Sequence, residues 1–154
     1  MVSNNTFISF INSLANAGIQ YVVLGGVASA FYGHIQPVSK IDLWLASQKE
    51  NVEKLNSLIQ TDSDKYSFTA FQSIYREPHT DESLLIAFSF KLHAFEASDF
   101  DLCYARREKA AINNTIIPIL NLDDLLTEKI ASGDPKEEVA IRVLQNAQNI
   151  RQSL

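Results

Sequence analysis

A chain of 154 residues that is 46% apolar fills one core, so a single globular domain spanning 1–154 is expected. Its net charge of −5 excludes a broad basic face for sequence-independent binding of nucleic acid. The one cysteine, Cys103, excludes an intrachain disulfide or a thiolate zinc cluster, and no run approaches the roughly 18 apolar residues of a membrane span, so a cytoplasmic protein is expected.

Taken in chain order, "NNTFISFINSLANAG" sets Phe7, Phe10, Ile11 and Leu14 at helical spacing and ends at Gly18. "IQYVVL" reads as a buried strand running into Gly25-Gly26, which open a small-residue helix closed by Gly33. "KIDLWLA" reads as a strand with Trp44 in the core. "SQKENVEKLNSLIQ" reads as a helix capped by Ser47, with Val52, Leu55, Leu58 and Ile59 facing inward. "YSFTAF" predicts a strand, the proline-bearing "YREPHTDES" a loop, and "LLIAFSFKLHAF" and "DFDLCYA" two more strands joined by the turn "EASD". "REKAAINN" is expected to form a short helix and "TIIPIL" a strand, with Pro118 suggesting a sheet edge.

Two helices close the chain. "LNLDDLLTEKIASG" offers Asn121 as cap, Leu122, Leu125, Leu126 and Ile130 as its apolar set and Gly133 as its stop. "DPKEEVAIRVLQNAQNIRQ" begins on Asp134, Pro135 and Glu137. The expected class is α+β, α/β-like: a mixed sheet flanked by helices over about 1–120, then a C-terminal helical pair over about 121–154.

A strand that runs into two glycines and a helix start lets backbone N–H groups approach a phosphate closely. Gly25, Gly26 and Ser29 are therefore candidate phosphate-binding residues. Metal-dependent phosphoryl chemistry needs carboxylates converging from neighbouring strands, and alternate residues of one strand share a face. Asp42 is placed for this and Asp101 is its candidate partner from a second strand, with Asp99 the fallback. Two residues before Asp42 stands Lys40, whose ammonium competes with a cation for Asp42 or snorkels to solvent.

His34, His79 and His93 have no metal-ligand spacing with one another or with Cys103, and each reads as a surface or turn residue. Arg106, Arg107 and Lys109 read as a groove edge for phosphate or as a solvated helix face. Cys103 reads as a buried thiol.

"YVVLGGVASAFYGHIQPVSKIDLWL" resembles the minimal nucleotidyltransferases of the DNA-polymerase-beta superfamily, most nearly the abortive-infection-type toxins and their relatives. In these, strand, Gly-Gly and helix precede an Arg-x-Thr-x-Asp-x-Asp strand. "IIPILNLDDLLTEKIASGDPKEEVAIRVL" is similar to their ending. Gly25 and Gly26 match the glycine pair, Asp42 the second acid, and Lys129 the lysine of the penultimate helix. Gln36, Val38 and Lys40 stand where the family has Arg, Thr and the first Asp.

The resemblance implies a nucleotidyltransferase fold and transfer of a nucleoside monophosphate from a triphosphate, with Mg2+ on Asp42 and Asp101 and with Lys40 and Lys129 near the nucleotide. The departure at Lys40 implies impaired or lost transfer. The alternatives are a non-catalytic module that binds a nucleotide or a protein partner, as in a toxin–antitoxin-like system, and a homodimer formed through the "YREPHTDES" loop and a sheet edge.

Overall fold

The computed structural model describes residues 4–61, 66–69 and 72–154. Alternating apolar periodicity and glycine turns produce, in order, α1 (Asn4–Asn16), β1 (Tyr21–Leu24), α2 (Gly25–Phe31), β2 (Lys40–Leu45), α3 (Lys49–Thr61), β3 (Tyr66–Thr69), β4 (Gln72–Arg76) and β5 (Ser83–Ser89). After a 3-10 turn at Ala97–Asp99 come α4 (Phe100–Ala105), β6 (Glu108–Ile112), β7 (Thr115–Ile119), α5 (Leu122–Ser132) and α6 (Glu138–Gln152).

The strands form one mixed seven-stranded sheet in the order β3-β4-β5-β2-β1-β7-β6. β1 lies near its centre and is buried along its whole length, as its unbroken apolar run requires. It pairs antiparallel with β2 and parallel with β7, while β2 pairs parallel with β5. The fold is α+β, with helices covering the sheet and α5 and α6 packed together at the end of the chain.

α1 buries Phe7, Phe10, Ile11 and Leu14, the stripe that the spacing dictates. In α3, Leu55 is buried and Leu58 packs on the core; the side chain of Ile59 and residues 70–71 of the "YSFTAF" segment lie outside the described residues. α5 starts where Asn121 accepts the Asp124 N–H and stops at Gly133 in the left-handed conformation. Its expected apolar stripe holds at Leu122, Leu125 and Leu126, but Ile130 is exposed.

Several expected elements differ, and β4 takes in Tyr75 and Arg76 of the segment expected to be a loop. The "DFDLCYA" stretch is a helix: Phe100 and Cys103, three apart, are buried, while Asp101 and Leu102 face solvent. Its approach is organised by a reciprocal cap, in which Glu96 and Asp99 each accept the other's backbone N–H. "REKAAINN" is not a helix but strand β6, turned into β7 by Asn113 and Asn114, both at positive φ, a two-residue hairpin loop of the primed kind. Pro118 is not on an edge strand, since β7 lies between β1 and β6. The β1 pairing is a single register pair, and the bond from Leu120 N–H to Val23 lies just beyond the proline, so the missing donor breaks no long ladder.

Candidate functional site

The antiparallel register sets Asp42 opposite Leu24, at the point where β1 ends and α2 begins. Gly25 there has φ +67°, and a Cβ on it would lie 2.1 Å from Asp42 Oδ2. The glycine is thus required twice, by its backbone angle and by the carboxylate lying against it. Gly26 is under no such constraint, since a Cβ there would meet only Val38 at 3.6 Å.

Around this turn opens a cleft of about 520 Å³, lined on one side by Gly25, Gly26, Lys40 and Asp42 and on the other by His93 and by Glu128 and Lys129 of α5. Lys40 Nζ lies 3.6 Å from Asp42 Oδ1, with the lysine half exposed and the aspartate three-quarters buried. Burial pushes the Asp42 carboxyl above its usual range. Lys40, and more weakly Lys129, pull it back down, and Glu137 adds to the rise.

Lys129 lines the cleft as expected of a nucleotide ligand, but its buried ammonium already bonds Glu137 Oε2 at 2.7 Å. Glu128 accepts the backbone N–H groups of His93 and Ala94 and faces His93 Nδ1 at 2.8 Å. Ser29 does not face the cleft: it is fully buried and its hydroxyl donates to the Gly25 carbonyl at 2.8 Å, which fixes the turn from beneath.

Asp101 does not join Asp42. It sits on the exposed face of α4, contacts Gln48 Nε2 at 3.4 Å and lines neither cavity that Asp42 borders. Asp99 is spent on the cap before α4. The strand that does run beside Asp42 is β5, which sets Ala87 opposite it and Leu85 opposite Lys40.

Among the described residues no group of three or more His, Cys, Asp or Glu is placed to hold a metal ion. The residues present do not fit magnesium: Asp42 is already faced by an ammonium, and Glu128, Asp134 and Glu137 across the cleft are held by other partners, which is not the converging acidic set that a two-metal transfer uses. Arg106 lines no part of the cleft; it is exposed and makes two 2.7 Å bonds to the buried Asp124 of α5. Cys103 is buried, and that burial pushes its thiol up to about 11, consistent with an inert side chain.

No protein-family model and no curated protein sequence matches this chain. Solved structures do match. The antigenic nucleotidyltransferase-like protein from Paracoccidioides brasiliensis superposes with a TM-score of 0.70 at 19% identity, over 97% of this chain and 78% of its own. The chain has the nucleotidyltransferase fold.

Two antibiotic-modifying proteins share the fold. The lincosamide antibiotic adenylyltransferase LnuA, solved with lincomycin, matches with a TM-score of 0.59 at 12% identity, over 95% of this chain and 98% of its own. ANT(2'')-Ia, solved with adenylyl-2''-tobramycin, matches at 0.55 and 14%, over 96% of each chain. Within the nucleotidyltransferase fold, the cleft at the β1–α2 turn is where the sequence resemblance puts the nucleotide, and it is there that Lys40 and Ala87 leave Asp42 as the one carboxylate on the paired strands β2 and β5.

His93 is the cleft residue that spacing along the sequence missed. Its partner Glu128 is 35 positions away, on a helix brought over the sheet only by folding. The one local trace of it is Glu128 itself, a glutamate that α5 buries.

Proposed function

We propose that this nucleotidyltransferase-fold protein binds a phosphate-bearing ligand of the nucleotide class without magnesium and does not carry out metal-dependent nucleotidyl transfer. The reading is carried by the contact between Lys40 and Asp42. At a separation near 4 Å, opposite unit charges attract by about 4 kcal/mol at the effective dielectric of a protein surface, and a dication approaching Asp42 meets the lysine's charge as repulsion. Lys40 then stands in for the metal, as a cation fixed to the fold by its own stem. Its half-exposed ammonium is able to swing toward a ligand phosphate.

The cleft also limits how much negative charge it accepts. Its lining holds two ammonium groups against the carboxylates Asp42, Glu128, Asp134 and Glu137. Three of these are already engaged: Glu128 by two backbone N–H groups and His93, Glu137 by Lys129, and Asp134 by the Lys136 N–H. A single phosphate, carrying about −1.5 to −2 at neutral pH, would share one ammonium, Lys40, with Asp42. A metal-free triphosphate brings more charge than Lys40 balances.

The test is a thermal-shift series with ribonucleoside mono-, di- and triphosphates, each with magnesium and with chelator. A monophosphate at about 100 times its Kd should add about 2.7 kcal/mol, roughly 5–10 °C for a chain of this size, equally in both conditions. Lys40→Gln should abolish the shift. A shift that requires magnesium, or none with any nucleotide, overturns the proposal.

A further inference from the structure

The segment between β5 and the Ala97–Asp99 turn carries His93 to the mouth of the cleft, where α5 meets it with a buried carboxylate. Glu128 Oε1 accepts the Ala94 N–H at 2.8 Å, and Oε2 accepts the His93 N–H at 3.1 Å while facing His93 Nδ1 at 2.8 Å. Each oxygen already accepts a backbone N–H, so the carboxylate meets the ring as an acceptor. The proton between Oε2 and Nδ1 therefore belongs to the ring. In the neutral imidazole, a hydrogen on Nδ1 leaves a lone pair on Nε2.

The ring is about two-thirds exposed. It borders both the main cleft, with Lys40, and the adjoining cavity, with Asp42 and Ser89. Among the described residues nothing bonds Nε2. Rotation that would change which nitrogen faces the ligand breaks the bond to Glu128, whose side chain is nearly buried and held by the backbone.

We infer that His93, oriented by Glu128, is a binding residue whose Nε2 accepts a hydrogen bond from a hydroxyl of the bound ligand, so that the cleft reads a hydroxyl and a phosphate on one molecule. This rests on the metal-free phosphate binding proposed above and adds the second recognition point. The two chemistries together describe a ribose phosphate, either within a nucleotide or as a free sugar phosphate. Glu128 is the positioning residue: it sets the tautomer and touches no ligand.

The experiment uses the full chain labelled with 15N-histidine. Ring correlation spectra should show His93 protonated at Nδ1 and bare at Nε2, with His93→Phe identifying the signal by its loss. Affinities are then measured for AMP, its 2′,3′-dideoxy analogue and ribose 5-phosphate in chelator.

AMP should bind about tenfold more tightly than the dideoxy analogue. Comparable binding of ribose 5-phosphate would mark the free sugar phosphate as a source, and weak binding would mark the nucleotide; both support the hydroxyl subsite. Glu128→Leu removes the acceptor that holds the hydrogen on Nδ1 and the contact that orients the ring. The tenfold preference should then vanish while binding of the dideoxy analogue persists. If that variant does not fold, His93→Phe, at an exposed position, carries the same expectation. A hydrogen on Nε2 in the wild type, or equal affinity for AMP and its dideoxy analogue, overturns this inference alone. Absence of binding by all three ligands overturns the phosphate-binding reading with it.

Discussion

Gly25 and Gly26 look alike in sequence and carry different constraints. Gly25→Ala forces a side chain onto a backbone at φ +67° and into the Asp42 carboxylate, so it should cost about 2–3 kcal/mol, read as the urea midpoint. Gly26→Ala meets only ordinary contact inside a helix and should be neutral or stabilising by up to about 1 kcal/mol. Equal effects would contradict the close fit of Asp42 against the turn. Asp42 itself makes a prediction with a sign. Because its folded carboxyl is raised above the unfolded value near 3.9, the folded state holds the proton to higher pH, and Asp42 contributes most below that value and loses the contribution as pH rises through the raised one. Asp42→Asn has no charge to desolvate. It should match the wild type near pH 4 and exceed it in thermal stability at pH 7.5, and a variant less stable at neutral pH would refute the account of this group. The glycine pair and Asp42 were legible because one strand and one turn hold them. The partners of Lys129 and His93 were not, since spacing along a helix says nothing of what lies across the sheet.

At the level of elements, α5 connects the fold to the site: one face carries Glu128 and Lys129 to the cleft, and its first turn carries Asp124 to Arg106. Asp124→Asn keeps the shape but leaves one acceptor for Arg106 and turns the other into a donor facing the guanidinium, so it should cost about 2 kcal/mol in denaturant unfolding. The exposed pair of Arg151 and Glu108 provides the contrast, and Arg151→Gln should change stability by less than about 1 kcal/mol. Comparable costs for the two variants would deny Asp124 its anchoring role. α1, β1, β2 and α5 were legible because periodicity, caps and glycine stops agree in each. α4 and β6 were misread for the opposite reason. "DFDLCYA" is six helical residues after Asp99, too short for its burial at Phe100 and Cys103 to declare a period, although the Glu96–Asp99 cap was there to be found. β6 has the helix-favouring composition "EKAAI", and tertiary pairing with β7 through the Asn113-Asn114 turn overrides it.

Over the whole molecule, the chain has the nucleotidyltransferase fold, and its strands β2 and β5 carry one carboxylate between them, Asp42. Apolar patterning sets the sheet and is tolerant of surface exchanges; a metal site depends on a few carboxylates and is lost by changing one or two. That is why two stretches of the sequence revealed the fold, whereas Asp101, read as a strand residue beside Asp42, lies on the exposed face of α4. Among the described residues no helix is long and apolar enough to cross a membrane. On the function proposed above, Lys40 beside Asp42 and Ala87 opposite it leave the cleft without a metal site. The most direct measurement is a Mn2+ titration of the full chain followed by electron paramagnetic resonance, alongside the double variant Lys40→Asp, Ala87→Asp. The account predicts no stoichiometric site below about millimolar Mn2+ in the wild type, and a new one in the double variant, where three carboxylates converge. A stoichiometric, micromolar Mn2+ site in the wild-type protein would contradict it.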